Sequence, residues 1–288
     1  MEWKFEPVAG PYKFTEGPVW DGTFLFFTHI PGSRVMRYDP KTNLCEEYRT
    51  GTNGANGLVL DAKGHLCACE GEGDGRRIVR YESKESTVVL ADSFEDRRLN
   101  SPNDLVIDTL GRIWFTDPRY GDDRDDMELD HESIFRLDPL EDGSYTILRK
   151  TYDTTRPNGL IVTPDMKTLY VAQSEYGEGK QRELRAYPVL EDDTLGEYEV
   201  LHNFVPHRGI DGMTLDTELN IVATAGWEVS GPGPMIYVFS PSGRVLETHP
   251  VPASPTNCTF GDDDLQTLYV TAHDGHLYRA PTQRKGLG

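Results

Sequence analysis

Six polar side chains recur at similar spacing along the chain, and together they have the chemistry of a metal site. We call these positions the anchors: Glu16, Asn56, Asn103, Asn158, Asp211 and Asn257. They stand 40, 47, 55, 53 and 46 residues apart, each offers a side-chain oxygen, and none is Cys or His. Hard divalent cations such as Ca²⁺, Mg²⁺ and Mn²⁺ prefer oxygen ligands. If the fold brings the anchors together, the sequence predicts a site for such a cation.

The spacing of the anchors also predicts the fold. Repeats of about 20–50 residues are typical of solenoids and propellers. Each anchor is followed by short strands rich in β-branched and aromatic residues, joined by turns that contain Gly, Asp or Asn, as in LVLDAKGHLCACE after Asn56. The pattern predicts an all-β, six-bladed β-propeller with four antiparallel strands per blade, a single domain over residues 1–288. The first strand of each blade would be innermost, which places the anchors at one end of the central tunnel.

The two ends of the chain indicate how the ring closes. The last unit, from Asn257 to about Pro281, has room for only three strands. The segment WKFEPVA at residues 3–9 is a spare strand that precedes the first anchor. We expect this N-terminal strand to pair into the last blade, because pairing there would cover edges that an open sheet exposes.

The composition disfavours several classes of partner. With 48 acidic and 29 basic residues the net charge is −19, which disfavours binding to nucleic acid or to anionic membranes. The four cysteines show no metal-ligand spacing, which favours free thiols in a reducing compartment. The start, MEWKFEPVAG, has no basic end followed by an apolar run, and no stretch is long enough to span a membrane. We therefore expect a cytoplasmic protein.

Each anchor taken alone has a simpler explanation. Asn, Asp and Gly are common in turns, so a lone Asn-Gly pair more often forms a turn than binds a ligand. Six such positions in register favour the site instead. An acid follows five of the anchors after five residues, and we expect these acids to be turn residues at the opposite end of the blades: Asp21, Asp61, Asp108, Asp216 and Asp262.

Several motifs resemble one known family. FTEGPVW, RLNSPNDLVID, IWFTDPRYG, RPNGLIVTPDMKTLYVA, GIDGMTLD and TNCTFGDDDLQTLYVTA are similar to the senescence-marker-protein/gluconolactonase family, and they cover nearly the whole chain. The resemblance implies one divalent cation in the tunnel, held by Glu16, Asn158 and Asp211, with Asn103 as a further ligand or a substrate contact. It implies Ca²⁺ first, with Mg²⁺, Mn²⁺ or Zn²⁺ as alternatives. The animal regucalcin branch has an Arg where this chain has Ser101, so its recognition of sugar acid lactones does not transfer directly.

The resemblance implies hydrolysis of a small lactone or ester. This reaction needs an electrophile that polarises the carbonyl group and a base that activates water. The cation would be the electrophile, and Asp211 is the candidate for orienting or deprotonating the water. We predict that these residues contact the substrate: Asn56, Asn103, Asp117 and Tyr120. Asp104 should point away from the axis, because successive side chains of a strand face opposite sides.

The loops at the same end carry further side chains. Tyr120, Tyr176 and Trp227 could cover a ligand, whereas His273 and Glu70 are expected to have no role in the site. Two alternatives to a lactonase stay open: a phosphotriesterase-like hydrolase similar to diisopropyl fluorophosphatase, and a non-catalytic calcium-binding propeller. The polar ring inside the tunnel favours an enzyme, because scaffold propellers bind partners through their blade surfaces.

Overall fold

The regular structure is built almost entirely from β-strands. The computed structural model describes residues 2–120 and 124–287. Within these ranges there are 26 strands and one 3₁₀ turn, Ile30–Gly32. The strands there form six four-stranded antiparallel sheets and one two-stranded hairpin. No described helix has the length and apolar character needed to cross a bilayer.

The first three blades follow one another along the chain. The first blade consists of β2 (Thr15–Trp20), β3 (Leu25–His29), β4 (Arg34–Asp39) and β5 (Leu44–Thr50). The second consists of β6 (Ala55–Leu60), β7 (Leu66–Glu70), β8 (Arg77–Tyr81) and β9 (Thr87–Ala91). The hairpin of β10 (Ser93–Phe94) and β11 (Arg97–Arg98) leads to the third. The third consists of β12 (Leu105–Ile107), β13 (Ile113–Asp117), β14 (Ser133–Pro139) and β15 (Tyr145–Arg149).

The remaining blades repeat this order. The fourth consists of β16 (Pro157–Val162), β17 (Thr168–Ser174), β18 (Arg182–Pro188) and β19 (Glu199–Asn203). The fifth consists of β20 (Ile210–Leu215), β21 (Ile221–Trp227), β22 (Ser230–Phe239) and β23 (Val245–Pro250). The sixth consists of β24 (Pro255–Gly261), β25 (Thr267–Ala272), β26 (Leu277–Pro281) and the N-terminal β1 (Glu6–Ala9).

The six sheets close into a ring through their first strands. β2 contacts β6, and the contacts continue through β12, β16, β20 and β24, which returns to β2. Because each first strand contacts the first strands of both neighbouring blades, these strands surround the central tunnel. The predicted six-bladed β-propeller with four antiparallel strands per blade is confirmed.

The sixth blade takes its outer strand from the start of the chain. β1 pairs antiparallel with β26, with Glu6 opposite Arg279. Before this strand, Trp3 stacks on His249 of the fifth blade, and their ring centroids are 3.9 Å apart. The predicted closure by an N-terminal strand is confirmed, although the paired strand is shorter than the predicted segment.

Apolar side chains pack between every pair of neighbouring blades. Six buried clusters fill the six interfaces. In β13, Phe115 faces the second blade, whereas Trp114 faces the fourth. Successive side chains of a strand point to opposite faces, so a strand between two blades buries both of its faces. Burial on both faces explains why runs such as IWFTD contain apolar residues in succession.

The acids that follow the anchors form turns, as the sequence predicts. Asp61 Oδ1 accepts hydrogen bonds from the backbone N–H groups of Lys63 and His65, both at 2.8 Å. Equivalent bonds are made by Asp21, Asp108 and Asp216. Asp262 instead accepts a hydrogen bond from the hydroxyl of Tyr269 at 2.8 Å. These acids stabilise the blades and lie outside the mouth cavity described below.

Each innermost strand carries an irregularity at its anchor. At Glu16 the strand has one residue more than the facing stretch of β3. The same shift occurs in the second, fourth, fifth and sixth blades. In the third blade the backbones of Asn103 and Asp104 both bond Thr116, which has the same effect. Such β-bulges interrupt the alternation of a strand, so consecutive residues can face the tunnel.

The residue after the anchor is Gly in four blades, and close packing explains why. A Cβ on Gly17 would lie 2.2 Å from the backbone oxygen of Asn56, the anchor of the next blade. A Cβ on Gly212 would lie 2.1 Å from Cγ of Asn257. The innermost strands therefore approach each other more closely than a side chain at these positions would allow.

Gly17→Ala should destabilise the fold, because the added methyl group would collide with the neighbouring blade. Gly22→Ala is the matched control: both glycines have a positive φ, +53° and +94°, but no described atom lies within 4 Å of the Cβ position of Gly22. In urea unfolding we expect Gly17→Ala to lose about 1–3 kcal/mol more than Gly22→Ala. Equal losses would show that backbone conformation alone explains the need for Gly.

Candidate active site

A cavity of about 440 Å³ opens at the end of the tunnel where the anchors lie. All six blades contribute to its lining, which consists of Phe14, Glu16, Ile30, Pro31, Gly54, Asn56, Gly71, Glu72, Ser101, Pro102, Asn103, Tyr120, Asn158, Tyr176, Asp211 and His273. The four predicted cation ligands, Glu16, Asn103, Asn158 and Asp211, are all among them. The anchor of the sixth blade, Asn257, lines a separate cavity further along the tunnel.

Two carboxylates on the cavity floor are buried. Glu16 is 3% exposed and Asp211 is 7% exposed. Burial and the negative charges of Asp211 and Asp104 raise the pKa of Glu16 well above its ordinary value. The backbone N–H of Gly17 donates to Glu16 Oε2 at 2.7 Å and favours the charged form. The charged form of Glu16 is therefore unfavourable on this floor, and a bound cation would stabilise it.

A buried arginine holds one oxygen of Asp211. Nη2 of Arg208 donates a hydrogen bond to Asp211 Oδ2. Nη1 donates to the backbone oxygens of Gly226 at 2.9 Å and Pro255 at 3.0 Å, which keep the guanidinium in place. Among the hydrogen bonds of the described residues, Oδ1 of Asp211 is the oxygen left for another partner. Sequence reasoning missed Arg208, whose only signal is its position three residues before Asp211 in RGIDG.

Asn158 is held by the hydroxyl of Tyr120. Nδ2 of Asn158 donates a hydrogen bond to this hydroxyl at 2.8 Å. The bond occupies the nitrogen side of the amide, so Oδ1 is the atom that Asn158 offers elsewhere. The sequence predicts that Tyr120 contacts the substrate. Its ring lines the cavity beside that of Tyr176, and the two ring centroids are 6.3 Å apart.

The segment before Asn103 is fixed by its own polar groups. The hydroxyl of Ser101 donates to the backbone oxygen of Gly71 at 2.9 Å. The backbone N–H of Asn103 donates to the oxygen of Thr116 at 2.9 Å. Asn103 is 8% exposed and lines the cavity, as does Asn56. Their amides are therefore presented to the cavity by a rigid backbone.

Asp117 is predicted to contact substrate, but the structure places it elsewhere. Its side chain is completely buried and does not line the cavity. Its carboxylate accepts the backbone N–H groups of Asn100 and Ser101, both at 2.8 Å. Asp117 therefore supports the segment that leads to Asn103. The physical reason for the error is that residues at the end of a strand can turn inward to satisfy buried backbone groups.

The prediction that Asp104 points away from the axis is wrong. Nδ2 of Asn257 donates to Asp104 Oδ2 at 3.3 Å. These residues belong to the third and sixth blades, which face each other across the tunnel. The bulge at Asn103 and Asp104 removes the alternation on which the prediction depended. Burial raises the pKa of Asp104 to about 7.

Three residues at or just after the ends of second strands differ in their relation to the cavity. His273 lines it, and its ring packs against Phe14 at a tilt of 46° with ring centroids 4.5 Å apart. Trp227 is 47% exposed and is not part of the lining. Glu70 is 1% exposed, and it accepts hydrogen bonds from Arg77 at 2.8 Å and Tyr81 at 3.0 Å. The expectation that Glu70 lies outside the site agrees with this structural role.

The fold and the cavity define a β-propeller whose tunnel mouth is lined by carboxylate and amide oxygens. Residues 14–274 match the SMP-30/Gluconolactonase/LRE-like region. The chain therefore belongs to the SMP-30/gluconolactonase family, as the motif resemblance predicts.

Relatives align with nearly the whole chain. The gluconolactonase of Zymomonas mobilis is 30% identical, over 93% of this chain and 78% of its own length. The pentonolactonase of Haloferax volcanii is 28% identical, over 91% of this chain and 82% of its own length. The solved structure of a gluconolactonase from Xanthomonas campestris is 31% identical with a TM-score of 0.82, and the match covers 97% of this chain and 89% of that one.

Asp117→Asn should destabilise the protein, and the loss should shrink as the pH rises. Asn offers one acceptor to two buried N–H groups, which costs about 1–3 kcal/mol. Burial raises the pKa of Asp117 from 3.8 to about 7, so between these values the folded protein keeps a proton that the unfolded chain has released. The stabilising contribution of wild-type Asp117 is therefore complete at low pH, falls through this window and is constant above it.

Urea unfolding at about pH 4 and about pH 8 tests this sign. The difference in free energy of unfolding between wild type and Asp117→Asn should be larger at the lower pH. Asp263→Asn, at an exposed turn, is the control whose difference should not change in this way. A difference for Asp117→Asn that is constant or grows with pH would contradict the argument.

Proposed function

We propose that this protein is a lactonase that opens a small sugar lactone or a related ester with the help of one divalent cation. The observation that carries the proposal is the convergence of Glu16, Asn103, Asn158 and Asp211 on one cavity. The relatives named gluconolactonase and pentonolactonase support lactones as the substrate class. A lactone is small enough for a cavity of about 440 Å³.

The residues of the cavity suit such a cation. Glu16, Asn103, Asn158 and Asp211 would supply two carboxylates and two amide oxygens, a set that hard cations accept. The described part of the chain has no group of three or more His, Cys, Asp or Glu that could hold a metal, so the amides would be needed to complete the ligands. We propose Ca²⁺, with Mg²⁺, Mn²⁺ or Zn²⁺ as alternatives. When bound, the cation would polarise the lactone carbonyl.

We assign the attacking water to Asp211. Oδ2 of Asp211 accepts a hydrogen bond from Arg208, so Oδ1, with its two lone pairs, would face both the cation and the water. The contact with Arg208 fixes the orientation of the Asp211 carboxylate, so we propose that this residue orients the water for attack. The water oxygen bonds to the carbonyl carbon, the ring C–O bond breaks, and the ring oxygen leaves with a proton as a hydroxyl group.

The cavity walls would hold the substrate in position. The amides of Asn56 and Asn103 can donate to and accept from sugar hydroxyls. The ring of Tyr120 lies on one side of the cavity, and Phe14 and Pro31 contribute apolar surface. Asn103 can bind either the cation or the substrate, and the first of the following experiments separates these roles.

Glu16→Gln and Asp211→Asn should each weaken cation binding while the fold stays intact. We expect a loss of Ca²⁺ affinity of at least about 100-fold in calorimetric titration, more than is typical of residues that only support a ligand. The rate of lactone hydrolysis, measured as the acid released, should fall with the Ca²⁺ affinity in both variants. In wild type a chelator should abolish hydrolysis, and an added divalent cation should restore it. Asn103→Asp should retain Ca²⁺ affinity if Asn103 is a ligand, whereas Asn103→Ala should lower it.

The controls are Glu85→Gln and Asp263→Asn, which remove the same charges from exposed positions outside the cavity. Unchanged Ca²⁺ affinity in both Glu16→Gln and Asp211→Asn would refute the ligand assignment. Hydrolysis that persists after complete removal of metal would refute the role of the cation, and wild type with no activity on any lactone would refute the enzyme.

Tyr120→Phe should weaken Ca²⁺ binding although Tyr120 is not itself a proposed ligand. The change removes only the hydroxyl that accepts from Asn158 at 2.8 Å, so the amide would be free to turn its nitrogen toward the cation. Loss of a residue that orients a ligand typically costs about 10–100-fold in affinity. Tyr152→Phe, at a residue 72% exposed, is the control. Equal affinities of both variants would exclude this role of Tyr120.

A further inference from the structure

The mouth cavity has acidic lining residues but no Lys or Arg among the described ones. Its charged lining residues are Glu16, Glu72 and Asp211. Burial and the charge of Arg208 lower the pKa of His273, so this residue adds no positive charge near neutral pH. Glu16 and Asp211 are buried on the floor, whereas Glu72 is exposed on the segment after β7. Glu72 is therefore the most exposed of the three acidic residues in the described lining.

The backbone and side chain of Glu72 are both constrained. Its N–H donates to the backbone oxygen of Asn53 at 3.0 Å. Its Cβ, Cγ and Cδ lie 2.7, 2.6 and 2.7 Å from the position that a Cβ on Gly54 would take. The side chain of Glu72 thus occupies space that exists only because residue 54 is Gly, and Gly54 itself lines the cavity. The side chain of Glu72 therefore lies against Gly54, at the wall of the cavity.

Arginines beside lining residues already have partners. Arg156 lies over the rings of Tyr120 and Tyr176 and pairs with Glu175 at 3.4 Å. Arg208 bonds Asp211 and two backbone oxygens. Arg119, next to Tyr120, pairs with Asp126 at 2.7 Å. An anionic group that entered the mouth would therefore meet Glu72, with no guanidinium or ammonium group among the described lining residues to offset the repulsion.

We propose that Glu72 determines substrate specificity: it selects lactones whose end remote from the carbonyl carries uncharged hydroxyl groups and disfavours those with a phosphate, sulfonate or carboxylate there. The inference rests on the proposed function, in which the carbonyl lies at the floor and the remote end at the rim. A carboxylate accepts a hydrogen bond from a hydroxyl group and repels an anion at the same distance. The preferred substrates are therefore neutral polyhydroxy lactones.

Two substrates test the proposal directly: a neutral six-membered aldonolactone and the same lactone with a phosphate on its terminal hydroxyl. We expect wild type to have kcat/KM about 10-fold or more higher for the neutral lactone, since each 1.4 kcal/mol of repulsion is worth about tenfold. Salt screens repulsion between exposed charges. Added NaCl should therefore raise kcat/KM for the phosphorylated lactone and leave that for the neutral lactone nearly constant.

The variants Glu72→Lys and Glu72→Gln test whether this residue causes the preference for the neutral lactone. The ratio of kcat/KM for the neutral lactone to that for the phosphorylated one should fall in Glu72→Gln and fall further, by about 10-fold or more, in Glu72→Lys. Glu85→Lys changes the net charge by the same amount at an exposed position outside the cavity, and its ratio should equal that of wild type. Unfolding midpoints verify that the variants are folded.

Different outcomes would contradict the role of Glu72 and the proposed lactonase activity. Equal use of both lactones by wild type, or a ratio that does not change in Glu72→Lys, would overturn the specificity assignment and leave the lactonase intact. Hydrolysis of neither lactone, with divalent cation present, would overturn the proposed function and the inference with it. A lower ratio in Glu72→Lys but not in Glu85→Lys supports the assignment.

Discussion

The electrostatic cost of burying acids in the tunnel is the constraint on which the site depends. Burial disfavours the charged forms of Glu16 and Asp104, and the charge of Asp211 adds to the cost for both. Each of the three carboxylates has at least one donor: the N–H of Gly17, the amide of Asn257 and the guanidinium of Arg208. Keeping all three carboxylates ionised would need further positive charge, which a divalent cation would supply.

The backbone of the innermost strands makes this burial possible. Bulges at the anchors turn consecutive residues toward the tunnel, and Gly17 and Gly212 let adjacent strands come within distances that a Cβ would prevent. Apolar clusters between all neighbouring blades supply the free energy that keeps this arrangement closed. The polar floor is thus supported by packing that lies entirely outside it.

The sequence allowed the large-scale arrangement to be predicted, because it depends on periodicity. The spacing of the anchors predicted the six blades, and the missing strand after Asn257 predicted closure by the N-terminal segment. The convergence of Glu16, Asn158 and Asp211 followed from the blade geometry and the family motifs. The orientations of individual side chains could not be predicted in this way. Asp104 faces inward because a bulge interrupts the strand. The carboxylate of Asp117 accepts hydrogen bonds from the backbone of Asn100 and Ser101 and does not reach the cavity.

The contact between Arg208 and Asp211 shows the same limit in another way. The guanidinium is fixed by backbone oxygens of Gly226 and Pro255, which are distant in sequence and adjacent only after folding. No local pattern around RGIDG reports these partners. The proposed role of Glu72 likewise depends on the space beside Gly54 that its side chain fills, which is a property of two loops together.

The distribution of the anchors over the ring has a thermodynamic consequence. Glu16, Asn103, Asn158 and Asp211 come from four different blades, so no single blade or pair of blades forms the site. A ligand that binds these residues only in the closed ring stabilises the native state as a whole, by an amount set by its concentration relative to its dissociation constant. A bound ligand would then couple blades that otherwise contact only their neighbours. Partial unfolding of one blade would require the free energy of releasing the ligand. A ligand bound at the centre of the ring can thus make the propeller unfold as one cooperative unit.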